Sequence, residues 1–142
     1  MGKKRIVKKG GGEDSGSRGS SSRASRRKLD SGLLYVEATY NNTKVSIADE
    51  KGNVVAWSSS GSLGFAGAKK GTPFAAAKVG ELLADKGAQM GLKNVSVVVS
   101  GVGAGRESAI RSFASKGISI TSIKDTTPVP HNGPRAPKPR RV

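Results

Sequence analysis

Cysteine is absent from this 142-residue chain, and histidine occurs once, as His131. No disulfide framework or cysteine metal site can form, and one imidazole cannot build a histidine metal centre, so no cofactor is expected. Acids are scarce too: ten Asp and Glu stand against 25 Lys and Arg, a formal net charge of +15. The core acids Glu37, Asp49, Glu50, Glu81, Asp85 and Glu107 are scattered, as is Asp125, and their spacing offers no cluster to hold two divalent metals for nuclease chemistry. Long apolar runs are missing as well. No stretch approaches the ~18 apolar residues of a membrane span, and no apolar segment of signal type follows the basic amino terminus. A soluble, cytoplasmic protein without catalysis is expected. In that setting Asn41-Asn42-Thr43, formally a glycosylation triplet, is a turn.

The cations that are present are unevenly spread. Residues 1–30 hold ten Lys and Arg against three acids, residues 31–123 ten against six, and residues 124–142 five against one. Dense charge at both ends of a sparser middle is the footprint of a compact domain whose arms reach for nucleic acid. An anionic membrane would also want an apolar anchor or a basic amphipathic helix, and neither end supplies one. The expected division is a disordered Gly/Ser-rich arm over 1–30, an α/β RNA-binding domain over 31–124 and an extended Pro-rich tail over 125–142. In the arm, Lys3-Lys4-Arg5 and Arg26-Arg27-Lys28 suit ordering on RNA. In the tail, four of the chain's six prolines lie between Pro130 and Pro139, which excludes helix and central strand and leaves a stiff, basic strap. His131 has no neighbour with which to act as a base, so hydrogen bonding or stacking on RNA suits it better.

Within the domain, Leu33 to Thr39 and Lys44 to Ala48 read as a hairpin around Asn41-Asn42, and Val54 to Ser58 as a third strand. Thr72 supplies a helix cap and Pro73 the first helical position; Phe74, Val79, Leu82 and Leu83 form an apolar stripe that runs to Met90, with Gly91 as the stop. Val95 to Val99 is a buried strand. A second helix starts near Gly105 or Arg106 and stops at Gly117, and Ile118, Ile120 and Ile123 mark a last strand with imperfect alternation. The order β-β-β-α-β-α-β favours a mixed sheet with two crossover helices. Trp57 is assigned to the edge of the core and Phe65 to burial on the domain.

Two glycine-rich loops each open a helix: Ser58 to Thr72, and Gly101-Val102-Gly103-Ala104-Gly105-Arg106. Glycine lets backbone N–H groups approach an anion, the helix terminus adds partial positive charge, and Lys69, Lys70 and Arg106 add full cations, so both loops can grip phosphate. The Gly101-x-Gly103-x-Gly105 spacing does not match a dinucleotide fingerprint, and no P-loop is present.

Tyr40-Asn41-Asn42-Thr43, Gly64-Phe65-x-Gly67-x-x-Lys70-x-Thr72-Pro73-Phe74-Ala75-Ala76, Gly101-x-Gly103-x-Gly105-Arg106-Glu107-Ser108 and Asp125-x-Thr127-Pro128-x-Pro130-His131-Asn132-Gly133-x-Arg135 occur in this order. Together they resemble the small-subunit ribosomal protein eleven family of the bacterial type, over about residues 32 to 142. The resemblance implies a three-layer α/β/α domain with a mixed five-stranded sheet of ribonuclease-H-like topology. It implies a non-catalytic constituent of the small-subunit (30S) platform that bridges ribosomal RNA helices and helps form the cleft where messenger RNA pairs with the ribosomal RNA 3′ end, the Shine-Dalgarno cleft. Implied neighbours are ribosomal proteins seven and eighteen and initiation factor three, and no homo-oligomer is expected. Residues expected to face RNA are Asn41, Asn42, Lys69, Lys70, Gly101, Gly103, Gly105, Arg106, Pro128, His131, Asn132, Gly133, Arg135, Lys138, Arg140 and Arg141. The chain departs from the pattern in its long arm, at Gly71, and at Pro134, Ala136 and Pro139. Two other functions stay open on the residues alone: a free RNA chaperone or regulatory module, and a phosphate-binding enzyme using Gly101 to Gly105.

Overall fold

The computed structural model describes residues 28–139 and 141; Lys3-Lys4-Arg5, Arg26, Arg27 and Arg140 lie outside them. Three strands, β1 (Ser31–Ala38), β2 (Thr43–Ala48) and β3 (Val54–Ser59), form an antiparallel meander. Then follow α1 (Pro73–Gln89), β4 (Asn94–Ser100), α2 (Gly105–Ala114) and β5 (Ser119–Asp125). β4 pairs parallel with both β1 and β5, so the sheet is mixed and runs β3-β2-β1-β4-β5. The mixed five-stranded α/β fold is the one the resemblance implied.

Alternation along the strands builds the core. Leu34 and Val36, Val45 and Ile47, and Val95, Val97 and Val99 all turn to one face and pack with Val79 and Leu83 of α1 and Ala109 and Phe113 of α2. The step from β3 to β4 and the step from β4 to β5 advance across the sheet in the same direction. Right-handed crossovers that advance the same way land on the same face, so the two helices lie side by side on it. The described residues thus make two layers, and no described helix supplies the layer on the other face that a three-layer arrangement needs.

Three local expectations are corrected. Trp57 is not at the core edge: it pairs with Ser46, whose neighbours Val45 and Ile47 fill the core, so it points to the opposite face and is 56% exposed. Phe74 is not part of the inward stripe, because the buried face of α1 runs through Ala75, Ala76, Val79, Leu83 and Ala84 and position 74 falls outside that phase; it is 63% exposed and packs edge-on against the half-buried Phe65, with ring centroids 6.1 Å apart. A 3-10 turn at Gly67–Gly71 precedes α1, where a plain loop was expected. The uneven alternation of the last strand is a register shift opposite Val95 and Ser96, which pair with Ile120 and Ser122.

One end of the sheet gathers the loops singled out in the sequence. The last residues of β1, β3, β4 and β5 meet there, together with the first turns of both helices.

Candidate nucleic-acid interface

Four loops converge at that end, and backbone contacts hold them together. The hairpin tip is closed by Thr39, whose N–H donates to the Asn42 carbonyl at 2.9 Å while the Asn42 N–H donates to Thr39 Oγ1 at 3.1 Å. Asn41 is exposed and Asn42 half-buried at this tip. The 3-10 turn comes up against it so closely that a Cβ on Gly71 would collide with the Tyr40 carbonyl oxygen. Glycine at this departure from the family pattern is therefore a contact requirement here. Thr72 joins the turn to α1: its hydroxyl donates to the Lys69 carbonyl at 2.7 Å and accepts from the Ala75 N–H at 3.3 Å. Lys69 is exposed, Lys70 half-buried, and neither forms an ion pair with a described residue.

The second loop is built differently. Gly101 has φ +97, and a Cβ there would collide with the Ala38 carbonyl oxygen; one on Gly103 would collide with that of Thr39. A Cβ on Gly105 would meet Thr43 Oγ1 and, at 2.7 Å, Ala76 Cβ. The three glycines are spaced by what they press against, namely the end of β1 and the first turn of α1. The N–H groups of Gly101 and Gly103 are also occupied inside the protein, donating to Thr127 Oγ1 at 3.2 Å and to the Ala38 carbonyl at 2.8 Å. Between the two helix starts, Thr43 Oγ1 is buried with no hydrogen-bond partner, as is Asn42 Oδ1 beside it in sequence.

Arg106 fastens the root of the tail. Its guanidinium donates to the Gly101 carbonyl at 2.7 Å and to Asp125 Oδ2 at 2.6 Å. The other Asp125 oxygen accepts from the Thr127 hydroxyl at 2.6 Å and its N–H at 2.9 Å. These bonds, from the Thr127 side chain first and Arg106 second, hold the Asp125 carboxyl well below the usual carboxylate range. The Thr126 N–H donates to the Val99 carbonyl at 2.8 Å, so the last strand is carried one residue further. Asp125 and Thr127 were not among the expected site residues. The Asp-x-Thr spacing is a local turn signal, but a partner nineteen residues upstream is invisible without the fold.

Beyond Thr127 the tail runs free of the domain. Among the described residues no hydrogen bond or ion pair ties Pro128, His131, Asn132, Gly133, Arg135, Lys138 or Arg141 to it. A bend at His131 and Asn132, with Asn132 at φ +57, brings Gly133 back against Pro130. The structure thus brings together Asn41, Asn42, Lys69, Lys70, Gly101, Gly103, Gly105 and Arg106, and it projects the tail residues outward from the same place. The described residues contain no group of three or more His, Cys, Asp or Glu able to hold a metal ion. No described helix is long and apolar enough to cross a membrane.

Comparison with known proteins places this geometry in a lineage. The chain is 52% identical over 117 residues to the small ribosomal subunit protein uS11 of Solibacter usitatus (strain Ellin6076), covering 82% of this chain and 87% of that protein. The family model described as ribosomal protein S11 matches residues 32–141, which takes in every element of the fold and the tail up to its penultimate residue. The chain belongs to the ribosomal protein S11 family.

Proposed function

We propose that the protein is a structural, non-catalytic constituent of the small ribosomal subunit that binds small-subunit ribosomal RNA on the platform. The observation that carries this reading is the 52% identity over 117 residues to a relative named as a small ribosomal subunit protein, together with a family match over residues 32–141 that includes the loops and tail converging at one end of the sheet. The mechanism is positional. The helix-backed sheet is the frame, Lys69 and Lys70 present unpaired charge beside the start of α1, and the Arg106–Asp125 bridge sets where the strap leaves the domain. Phosphate neutralisation supplies affinity, and irregular or single-stranded RNA is read by the tail. Ribosomal proteins seven and eighteen are its protein neighbours, and initiation factor three and messenger RNA approach the same platform.

A nucleotide-binding enzyme fits less well, because the N–H groups of Gly101 and Gly103 that would grip a pyrophosphate are spent on Thr127 and Ala38. Sedimentation of ribosomal subunits after a high-salt wash separates the remaining readings. Stoichiometric comigration with the small subunit is expected. Release into the free fraction would instead identify a chaperone or regulatory module.

A further inference from the structure

On the face of the sheet that no described helix covers, β2 and β3 form a small concavity. Its lining is Lys44, Ser46, Val54 and Trp57, and its volume is about 190 Å3. Strand alternation explains the lining: with Val45 and Ile47 in the core, Lys44 and Ser46 must point the other way, and register places Trp57 directly opposite Ser46. Trp57 is 56% exposed and Val54 57%, large values for residues on strands. The Trp57 ring stacks on no other ring and lies under no cation; the ring and cation contacts among the described residues are those of Phe65, Phe74 and Lys78. Lys44 is exposed and forms no ion pair, although Glu37 is its register partner on β1. Next along the row, opposite Ser46, comes the half-buried Tyr35.

We propose that this concavity is a stacking site for one unpaired nucleobase of a single-stranded RNA, separate from the loop end of the sheet. The inference rests on the reading of the protein as RNA-binding and adds to it a second contact surface. A cavity of about 150 Å3 accepts a benzene ring, so a flat heteroaromatic base fits the space available. Indole gives the largest stacking surface of any side chain, and Val54 supplies a second apolar contact. Ser46 offers a hydroxyl that can donate to or accept from a base edge, and the Lys44 ammonium stands where it meets the phosphate of the same nucleotide. Protein docking is less well matched. Within the concavity the strongly exposed apolar side chains are Trp57 and Val54, and the sites beside them are Lys44 and Ser46, where a packed helix would want more aliphatic surface. An open sheet face with aromatic side chains is a recurring platform for single-stranded RNA.

Trp57 is the single tryptophan of the chain, so its fluorescence reports this site alone. The full-length protein is titrated with a hexanucleotide of adenosines and with a matched oligomer lacking bases, at about 0.3 M salt to suppress contacts made only to phosphate. Saturable quenching by the adenosine oligomer and little by the abasic one is expected. By anisotropy of a labelled oligomer, Trp57→Leu should weaken binding about 5- to 100-fold while Trp57→Phe keeps most of it, the phenyl ring retaining a stacking face. Lys44→Ala should weaken binding and flatten its salt dependence. Oligomer binding without a change in Trp57 fluorescence, equal quenching by the abasic oligomer, or unaltered affinity of Trp57→Leu each overturns the site. A response to small-subunit proteins and not to RNA overturns it in favour of a protein partner. Filter binding of small-subunit ribosomal RNA by the unmodified protein runs in parallel: if that persists the site alone is wrong, and if that fails the RNA-binding reading falls with it.

Discussion

Asp125 owes its ionisation to a set of donors that the chain assembles from two places, Thr127 two residues on and Arg106 on another element. Its folded-state pKa is depressed below the ordinary value, so the bridge adds stability above the unfolded carboxylate pKa, and that contribution is lost only as pH falls through the folded one. A carbon-detected NMR titration should therefore find Asp125 still ionised at a pH where a free aspartate has taken up its proton. In Arg106→Ala or Thr127→Ala its midpoint should move up toward the free value; an Asp125 that titrates as a free aspartate in the unmodified protein would remove the bridge. Such a bond is half open to water, so it orders the root of the tail more than it stabilises the domain. The sequence showed Arg106 as a cation beside a helix start and Asp125 as one more isolated acid. Their pairing was hidden because no local pattern spans nineteen residues.

At the scale of elements, Gly80 decides how the helices meet. It sits in the middle of α1, where glycine costs about 1 kcal/mol relative to alanine, and helical propensity alone argues against it. The reason lies across the interface: a Cβ there would come 2.6 Å from the Ala109 carbonyl oxygen of α2 and closer still to Ser112 Oγ. Gly80→Ala should push the helices apart and lower stability by roughly 1–3 kcal/mol in urea unfolding, despite its better propensity. A stability gain would mean that the helices have room to spare. The elements themselves were readable where one periodicity ruled. Thr72-Pro73 marked the start of α1, and Gly91, at φ +81, follows its last turn. Reading failed where periodicity was ambiguous. Val54-Val55-Ala56-Trp57 is apolar at both parities, so only pairing with Ser46 settles which way Trp57 points. The five-residue 3-10 turn has no buried residue and hence left no apolar signature.

For the whole molecule, the proposed contact with RNA turns on which cations are free to meet phosphate. Lys69 and Lys70 form no ion pair with described residues, whereas the charge of Arg106 is already offset by Asp125. In filter binding to small-subunit ribosomal RNA, Lys69→Ala and Lys70→Ala should each reduce the slope of log affinity against log salt by about 0.7 to 0.9. Arg106→Ala should change it by clearly less. Equal slopes for all three would show that RNA displaces Asp125 and takes Arg106 for itself. The gathering of these residues at one end was only partly legible: both glycine-rich loops were visible as helix openers, but their meeting with the Asn41-Asn42 tip depends on β1 and β4 lying side by side.

That central pairing has a consequence in time. β1 spans Ser31–Ala38 and its parallel neighbour β4 spans Asn94–Ser100, so more than fifty residues are synthesised between them. A ribosome making this chain releases the β1–β2–β3 meander first, with one edge of β1 bare and its Leu34 and Val36 uncovered until the helices arrive. Closing such a long loop is slow, and the nascent amino-terminal half is exposed to mispairing throughout. The tail is anchored last, once β5 has seated against β4. A strap that leaves the domain in a fixed direction can exist only after β4 and β5 are in place, so the fold itself withholds the proposed binding surface from unfinished chains.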